Sequence, residues 1–469
     1  MNNQLMPYKA YKTSNIPFVS NVPIHWEVYP FCAIAQEKSI TNNKNEELLS
    51  VFLNAGVIKY NQTNGAQVHK PSEDLSKYQL VEPGDLVLNN QQAWRGSVGV
   101  SKYRGIVSPA YYVFKLSDVI NPTFANYLFR DLSMVNQFVL SSKGVGSIQR
   151  NLYFPFLKRT RVLLPSIEEQ NKIVKYLDFQ LAKINKFIKV KKKLILVLKE
   201  QMQAVINDAV TKGINPNVKM KPSGIDWLGD IPEGWNLIKL KFLSNKPFQY
   251  GANEAGIEYS EYLPRYIRIT DVSIDGKLKD ENKLSLSVDA AKNYMLNDGD
   301  ILFARSGATV GKTFLFKSEY GESCYAGYLI RFSPNQEMVL PKFVYNFTQS
   351  TAYSLWLNKI FIQATIQNVS AEKYKNLQIP LPTLEEQKRI LDFININTMK
   401  FNVAIEKLMK EVDLIAEYRN RLISDVVTGK VDVSEMVIDE IVMEDLDIDG
   451  FDEETVNRDE VLDPEECEV

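Results

Sequence analysis

The chain has 469 residues, 45% hydrophobic and 24% charged, which excludes a wholly disordered polymer and suggests about three domains at ~150 residues each. Its formal charge of −2 hides an asymmetry: from Glu435 onward 16 acidic residues face one basic residue, Arg458, which leaves 54 basic and 41 acidic residues before it, a body of +13. A basic body suits a polyanionic partner, and it also serves solubility.

The longest aliphatic run covers only residues 194–198, far short of the ~18 residues a membrane span needs. The start, Met1-Asn-Asn-Gln4, has neither the basic beginning nor the apolar core of a leader. The expectation is a soluble, cytoplasmic protein. Cys32, Cys324 and Cys467 are scattered, and His25 and His69 are the only histidines. That argues against a disulfide framework, a zinc site or histidine-based catalysis.

In chain order, residues 1–160 read as a first globular domain. It is rich in aromatic and β-branched residues and punctuated by turns such as Glu82-Pro-Gly-Asp85 and Arg95-Gly96, with short helix near 122–138. Residues 161–215 follow as a long helix. Ser166-Ile-Glu-Glu169, just after Pro165, is a capping box: the hydroxyl accepts from free first-turn amides and the glutamate reaches back to the cap's own amide. Gly213 lies near the far end, where a left-handed cap favours glycine. Residues 216–380 read as a second mixed, mainly β domain, with a turn at Asp298-Gly-Asp300 and helix near 341–357. Residues 381–432 form a second long helix, from the capping box Thr383-Leu-Glu-Glu386 to Gly429. Residues 433–469 form an acidic tail, too charged to fold alone, with Ile438, Ile441, Val442, Leu446 and Phe451 interspersed in a pattern that also suits docking.

The two halves repeat one another. Ser14, Ile16, Pro23 and Trp26 recur 209 residues later as Ser223, Ile225, Pro232 and Trp235. Gly84-Asp-Leu86 returns as Gly299-Asp-Ile301, Ser147-Ile-Gln149 as Thr365-Ile-Gln367, and Pro165 with Glu168-Glu-Gln170 as Pro382 with Glu385-Glu-Gln387. Four ordered matches at nearly one offset mean duplication. Each helix also carries a heptad stripe. In the first it is Leu177, Leu181, Ile184, Ile188, Lys191, Ile195, Leu198, Met202, Val205 and Ala209. In the second it is Ile394, Thr398, Phe401, Ile405, Leu408, Val412, Ile415, Arg419, Leu422 and Val426. A stripe held in register over several turns predicts a coiled-coil seam, and each helix of ~45 residues reaches about 65 Å. The predicted architecture is α+β: two duplicated, mainly β domains separated by two long antiparallel coiled-coil helices.

These features resemble the specificity subunits of type I restriction–modification systems over residues 8–432. The resemblance rests on Ser223-Gly-Ile-Asp-Trp-Leu-Gly-Asp-Ile-Pro-Glu-Gly-Trp235, on the pair Leu164-Pro-Ser-Ile-Glu-Glu-Gln170 and Leu381-Pro-Thr-Leu-Glu-Glu-Gln387, and on Gly299-Asp-Ile-Leu-Phe-Ala-Arg305. The first copy departs from the pattern, with Asn15-Ile-Pro-Phe18 and Pro23-Ile-His-Trp26 for the fuller second form, and the acidic tail lies outside it. The resemblance implies a non-catalytic subunit with two target-recognition domains, each reading one half of a split, asymmetric DNA site. The long helices would be a ruler and a dock for two modification subunits, adenine-N6 methyltransferases that bind S-adenosylmethionine. Restriction/translocase subunits using ATP and Mg2+ would join them, and this chain would hold no cofactor. Two reading heads on one duplex face should engage half-sites about one helical turn apart.

The candidate DNA contacts are the loops after the Gly-Asp turns, with Gln91, Gln92 and Arg95 in the first copy and Arg305 and Lys312 in the second. To these are added Lys143, Gln149 and Arg150, and their counterparts Gln363 and Gln367. Amides and guanidinium groups suit adenine and guanine edges, though amides and glycines also build tight turns. Trp94 reads as packing, Trp26 and Trp235 as core anchors, and Lys189, Lys191, Lys192 and Lys193 as a solvated face that could approach a duplex.

Gly307-Ala-Thr-Val-Gly-Lys-Thr313 imitates a phosphate loop, but three residues rather than four separate its glycines, and the following Phe-Leu-Phe reads as strand rather than helix. No Asn-Pro-Pro-Tyr-like element or Gly-rich loop suggests methyl transfer by this chain. The alternative to a DNA-reading subunit is a coiled-coil scaffold whose globular domains bind proteins; a steep loss of binding with salt separates the two.

Overall fold

The computed structural model describes residues 5–53, 55–62, 71–145, 149–273, 276–307, 309–362 and 368–436. Its contacts divide the chain into two units, Met1–Lys193 with Met409–Val469, and Leu194–Leu408.

In the first unit Gly84, at φ +91°, makes the turn that launches Leu86–Asn89. That strand lies inside an antiparallel sheet ordered Ala35–Lys38, Tyr111–Leu116, Leu86–Asn89, Val98–Val100. Its first three residues, Leu86-Val-Leu88, are all apolar because both faces of the strand are covered. Leu86 and Leu88 point into a core with Phe124 and Phe129 of the helix Pro122–Arg130, whereas Val87 joins Val51, Val107 and Val113 on the other side. The second unit repeats the scheme. Gly299 turns at φ +85°, and the sheet runs Gln249–Tyr250, Leu329–Phe332, Ile301–Ala304, Thr313–Leu315. Ile301 and Phe303 face one core, Leu302 and Ala304 the other. The second unit adds a mixed four-stranded sheet of Ile257–Glu258, Leu284–Ser285, Arg265–Ile267 and Ser323–Tyr325.

A two-stranded ribbon joins each globular part to a long helix: Glu27–Pro30 with Arg161–Leu164, and Asn236–Lys239 with Gln378–Leu381. The helices run Ile167–Thr211 and Leu384–Val427. Within the first unit, Ile173, Leu177 and Leu181 near the start of one share a core with Leu422, Val426 and Val427 at the end of the other, and Lys191 Nζ lies 2.5 Å from Glu411 Oε2. Within the second, Ala209 and Val210 meet Ile390, Leu391 and Ile394. The pairing is antiparallel in both. None of the twenty heptad positions is exposed, while Val190, Leu196 and Val403 beside the stripes are 58%, 60% and 62% exposed. Lys191 fits the seam because Glu411 neutralises it.

Each helix end abuts a globular part. The bulk that an added Cβ at Gly429 (φ +74°) would meet is Pro23, at 2.6 Å, and Trp26, at 3.3 Å; at Gly213 (φ +80°) it is Trp235, at 3.3 Å. Trp26 and Trp235 are buried, as expected of anchors; taking about 200 Å² of indole out of water contributes about 5 kcal/mol at about 25 cal/mol per Å². The capping boxes form only in part. Ser166 Oγ and Thr383 Oγ1 each accept from the amide three residues on, at 3.3 Å. The predicted return bond from glutamate to cap is absent among the described residues. Glu169 instead accepts from the Tyr8 hydroxyl at 2.7 Å and Trp26 Nε1 at 3.1 Å, and pairs with His25 Nε2 at 2.8 Å. Three converging partners outcompete one backbone amide. Burial, then the neighbouring Glu169, pushes the Tyr8 phenol well above its ordinary pKa, so it stays a donor.

Candidate nucleic-acid interface

In the first unit, the chain leaving Leu86–Asn89 turns through a short 3-10 segment, Ala93–Arg95, closed by Gly96 at φ +104°. The turn exposes Gln91 and Arg95 and half-buries Gln92 and Trp94. Trp94 Nε1 donates to the Gln91 carbonyl at 2.8 Å, which fixes the ring. The Arg95 and Arg150 guanidiniums lie 5.8 and 5.6 Å from the ring centre, within cation–π range. Arg150 comes from the hairpin of Ser142–Val145 and Gln149–Leu152. Arg150, from a distant part of the chain, thus joins Gln91 and Arg95 of the same turn around Trp94, which the sequence reads as packing. Lys143 lies on the same hairpin with its ammonium 3.6 Å from the Tyr153 ring centre. Gln149 is in that hairpin, but its side chain lies outside the described atoms.

In the second unit, Arg305 and exposed Lys312 flank the turn between Ile301–Ala304 and Thr313–Leu315. The Phe-Leu part of the phosphate-loop imitation is strand, as expected. The Arg305 guanidinium carbon is 4.8 Å from the Tyr250 ring centre, and Tyr328 beside it is 70% exposed. Gln363 and Gln367 lie outside the described residues.

Asn90 was not among the expected contacts, yet it occupies the place that Arg305 has in the second copy. Asn90 N–H donates to the Ala110 carbonyl and its carbonyl accepts from Leu152; Arg305 N–H donates to Tyr328 and its carbonyl accepts from Val369. Both residues follow the interior strand and are tied to the same two neighbours. The signal was present, since the 215-residue offset of the Gly-Asp turns carries Asn90 onto Arg305. Tyr250 and Tyr328 had no such local signal, because a neighbouring strand and a turn bring them in.

Among the described residues no group of three His, Cys, Asp or Glu is placed to hold a metal ion, and no helix is long and apolar enough to cross a membrane. What the fold presents is a duplicated pair of sheet-end loops at the end of helix-backed domains, the first offering guanidinium and amide groups and the second a guanidinium and an ammonium group. That is the class of a double-headed recognition protein. Comparison with known proteins agrees. The family model described as the type I restriction modification DNA specificity domain matches twice, over residues 27–197 and 235–410. The chain belongs to this family, whose domains supply sequence-specific DNA recognition in type I systems. It is 26% identical over 373 residues to the type I restriction enzyme MjaVIII specificity subunit of Methanocaldococcus jannaschii, covering 76% of this chain and 81% of that one. It is 27% identical over 244 residues to the EcoBI specificity subunit of Escherichia coli, covering 50% and 51%. A chain from a structure reported for complex assembly and conformational transition of a type I R-M system superposes with a TM-score of 0.62 at 16% identity, covering 87% of this chain and 99% of that one.

Proposed function

We propose that this chain reads a bipartite, asymmetric DNA site and directs modification and restriction subunits to it. Residues 1–160 and 216–380 are the two reading domains, 161–215 and 381–432 the spacer helices, and 433–469 an appended acidic tail. Two modification subunits carrying S-adenosylmethionine dock along the spacer, and restriction/translocase subunits supply ATP- and Mg2+-dependent cleavage. The reading implies a cytoplasmic protein acting on chromosomal or invading duplex. The observation that carries it is the diverged repetition of one sheet-end loop. Two similar but non-identical heads read two different half-sites, whereas a symmetric dimer reads a palindrome.

Gln91, Gln92, Arg95, Arg150 and Gln149 in the first head, and Arg305, Gln363 and Gln367 in the second, are proposed to approach base edges, with Lys143 and Lys312 on phosphates. Clamping of Trp94 by Arg95 and Arg150 supports this choice, because a guanidinium held on a ring loses little freedom when it meets a base. The test is selection from a randomised duplex pool by the full chain co-purified with a modification subunit. Two short specified blocks at a fixed gap are expected. A single undivided motif would remove the ruler, and no enrichment by an intact complex would favour a protein scaffold.

A further inference from the structure

Among the described residues, eight buried side-chain N or O atoms have no hydrogen-bond partner. Two of these, Asn90 Oδ1 and Arg305 Nε, fall at equivalent positions of the two copies, and no other two do. A buried polar atom left unpaired is costly, and its recurrence at one site of a duplicated fold calls for an explanation beyond chance. The backbone at this position is held identically in both copies, donating to the residue before one strand and accepting from the second loop. The fold therefore fixes where the side chain starts and leaves its chemistry to differ.

The difference is between an amide and a guanidinium. In the major groove an amide side chain pairs bidentately with adenine N6 and N7, and a guanidinium with guanine O6 and N7. Arg305 forms no ion pair among the described residues, and Tyr250 lies under it with the ring centre 4.8 Å from Cζ. Tyr250 is itself fixed, its hydroxyl accepting from the Ala371 amide at 3.0 Å. An arginine braced on an aromatic ring presents its fork at one angle, which suits a planar base edge better than a phosphate, reachable from many angles. Asn368 Oδ1, also buried and unpaired, lies on the segment bridged to Ser306 and is a nearby acceptor for a base amino group.

We propose that this position is a specificity-determining site of each head: Asn90 reads an adenine in one half-site and Arg305 a guanine in the other, with Tyr250 positioning Arg305. The inference rests on the DNA-reading function above and deepens it. It requires one adenine column to depend on the first copy and one guanine column, in the other block, on the second.

The experiment is the same pool selection, repeated with Asn90→Ala, Arg305→Ala, Arg305→Lys and Tyr250→Leu in the full chain with its modification subunit, each first checked for an unchanged thermal transition. Asn90→Ala is expected to make one adenine column degenerate, and Arg305→Ala one guanine column in the other block. Each should weaken binding to the selected site about 10–100-fold. Arg305→Lys keeps the charge and should still loosen the guanine column. Tyr250→Leu should loosen that same column without altering the first block, whereas Tyr250→Phe, which keeps the ring and loses only the bond from the Ala371 amide, should loosen it less; a general structural defect would weaken both blocks. A 7-deazaguanine at that column, lacking N7, should weaken the wild type about tenfold and leave Arg305→Ala unaffected. Uniform weakening on all sequences with both blocks intact would reassign the residues to phosphates and overturn the proposal, as would unchanged selection. Failure of the wild type to enrich two blocks would overturn the parent reading as well, so the two failures are distinguishable.

Discussion

Gln170 and Gln387, 217 residues apart, make the same three hydrogen bonds. Gln170 Oε1 accepts from the Asn121 amide at 2.7 Å, and its Nε2 donates to the Val119 and Pro165 carbonyls at 2.9 Å. Gln387 Oε1 accepts from Leu340 at 2.8 Å, and Nε2 donates to Met338 at 3.2 Å and Pro382 at 3.0 Å. Both are fully buried. In each copy the glutamine ties the start of a long helix to the loop that opens a globular-domain helix, so that junction is held by a side chain that satisfies three backbone groups at once. Replacing either by alanine leaves an amide and two carbonyls without that partner, and a cost of about 1–3 kcal/mol is expected. Faster hydrogen exchange of the Asn121 amide in Gln170→Ala, and of Leu340 in Gln387→Ala, would register it. Equal effects on both amides in both variants would contradict local tethering.

The two anchoring tryptophans should respond unequally to phenylalanine. Trp26 Nε1 donates to Glu169, whereas Trp235 Nε1 is buried without a partner. Trp26→Phe removes a bond to a carboxylate, and Trp235→Phe removes an unsatisfied donor. With similar losses of ring area, Trp26→Phe should be the more destabilising by about 1–3 kcal/mol. Urea denaturation followed by a probe in each unit measures the difference.

The helix-ending glycines make a graded pair. Both have positive φ, and an alanine Cβ would sit 2.6 Å from Pro23 at Gly429 but no closer than 3.3 Å to anything at Gly213. The left-handed backbone alone costs about 1 kcal/mol. Gly429→Ala should exceed that and Gly213→Ala approach it, as read from shifts in denaturation midpoint.

Much of this organisation was legible in the sequence because duplication supplies its own comparison. The Gly-Asp turns, capping hydroxyls, heptad stripes and buried tryptophans all depend on near neighbours in the chain or on strict periodicity, and all stand where they were expected. What sequence missed depends on distant chain segments meeting. The capping glutamate was diverted because Tyr8, His25 and Trp26 arrive from over 140 residues away. Trp94 gathers Arg150 across a hairpin, and Tyr250 supports Arg305 from another strand of the sheet. The Asn90–Arg305 equivalence could have been read from the offset, but its unpaired side-chain atoms could not.

Cysteine chemistry gives a test with a pH sign. Burial pushes the Cys324 thiol up to about 12, whereas Cys32 is exposed. At pH 8 only about one Cys324 in 10⁴ is ionised, so a thiolate-directed alkylating agent should modify Cys32 and spare Cys324 in the native protein, as peptide mapping would show. Because the folded state holds this proton more tightly than the unfolded chain, Cys324 adds no pH dependence below its ordinary pKa of 9.0. As pH rises from there toward about 12, stability should fall. Cys324→Ala should flatten that part of the stability curve; an unchanged slope would count against the buried thiol.

The charge asymmetry leads to the last prediction. Sixteen acidic residues and one basic residue from Glu435 onward are tethered to a body of +13. A tethered polyanion acts at high effective concentration on the same cationic surface that attracts DNA phosphates. Non-specific DNA binding draws its affinity from counterion release, so an acidic segment that already displaces those counterions reduces the gain. Removing residues 435–469 should therefore tighten non-specific duplex binding several-fold at low salt, with the difference vanishing as added salt shortens the screening length. Discrimination between specific and non-specific DNA should fall in the truncated chain, since base-edge contacts are unaffected while the background rises. Affinity unchanged by truncation at low salt would show that the tail does not compete for the body, and would leave its composition to be explained by a partner other than this chain.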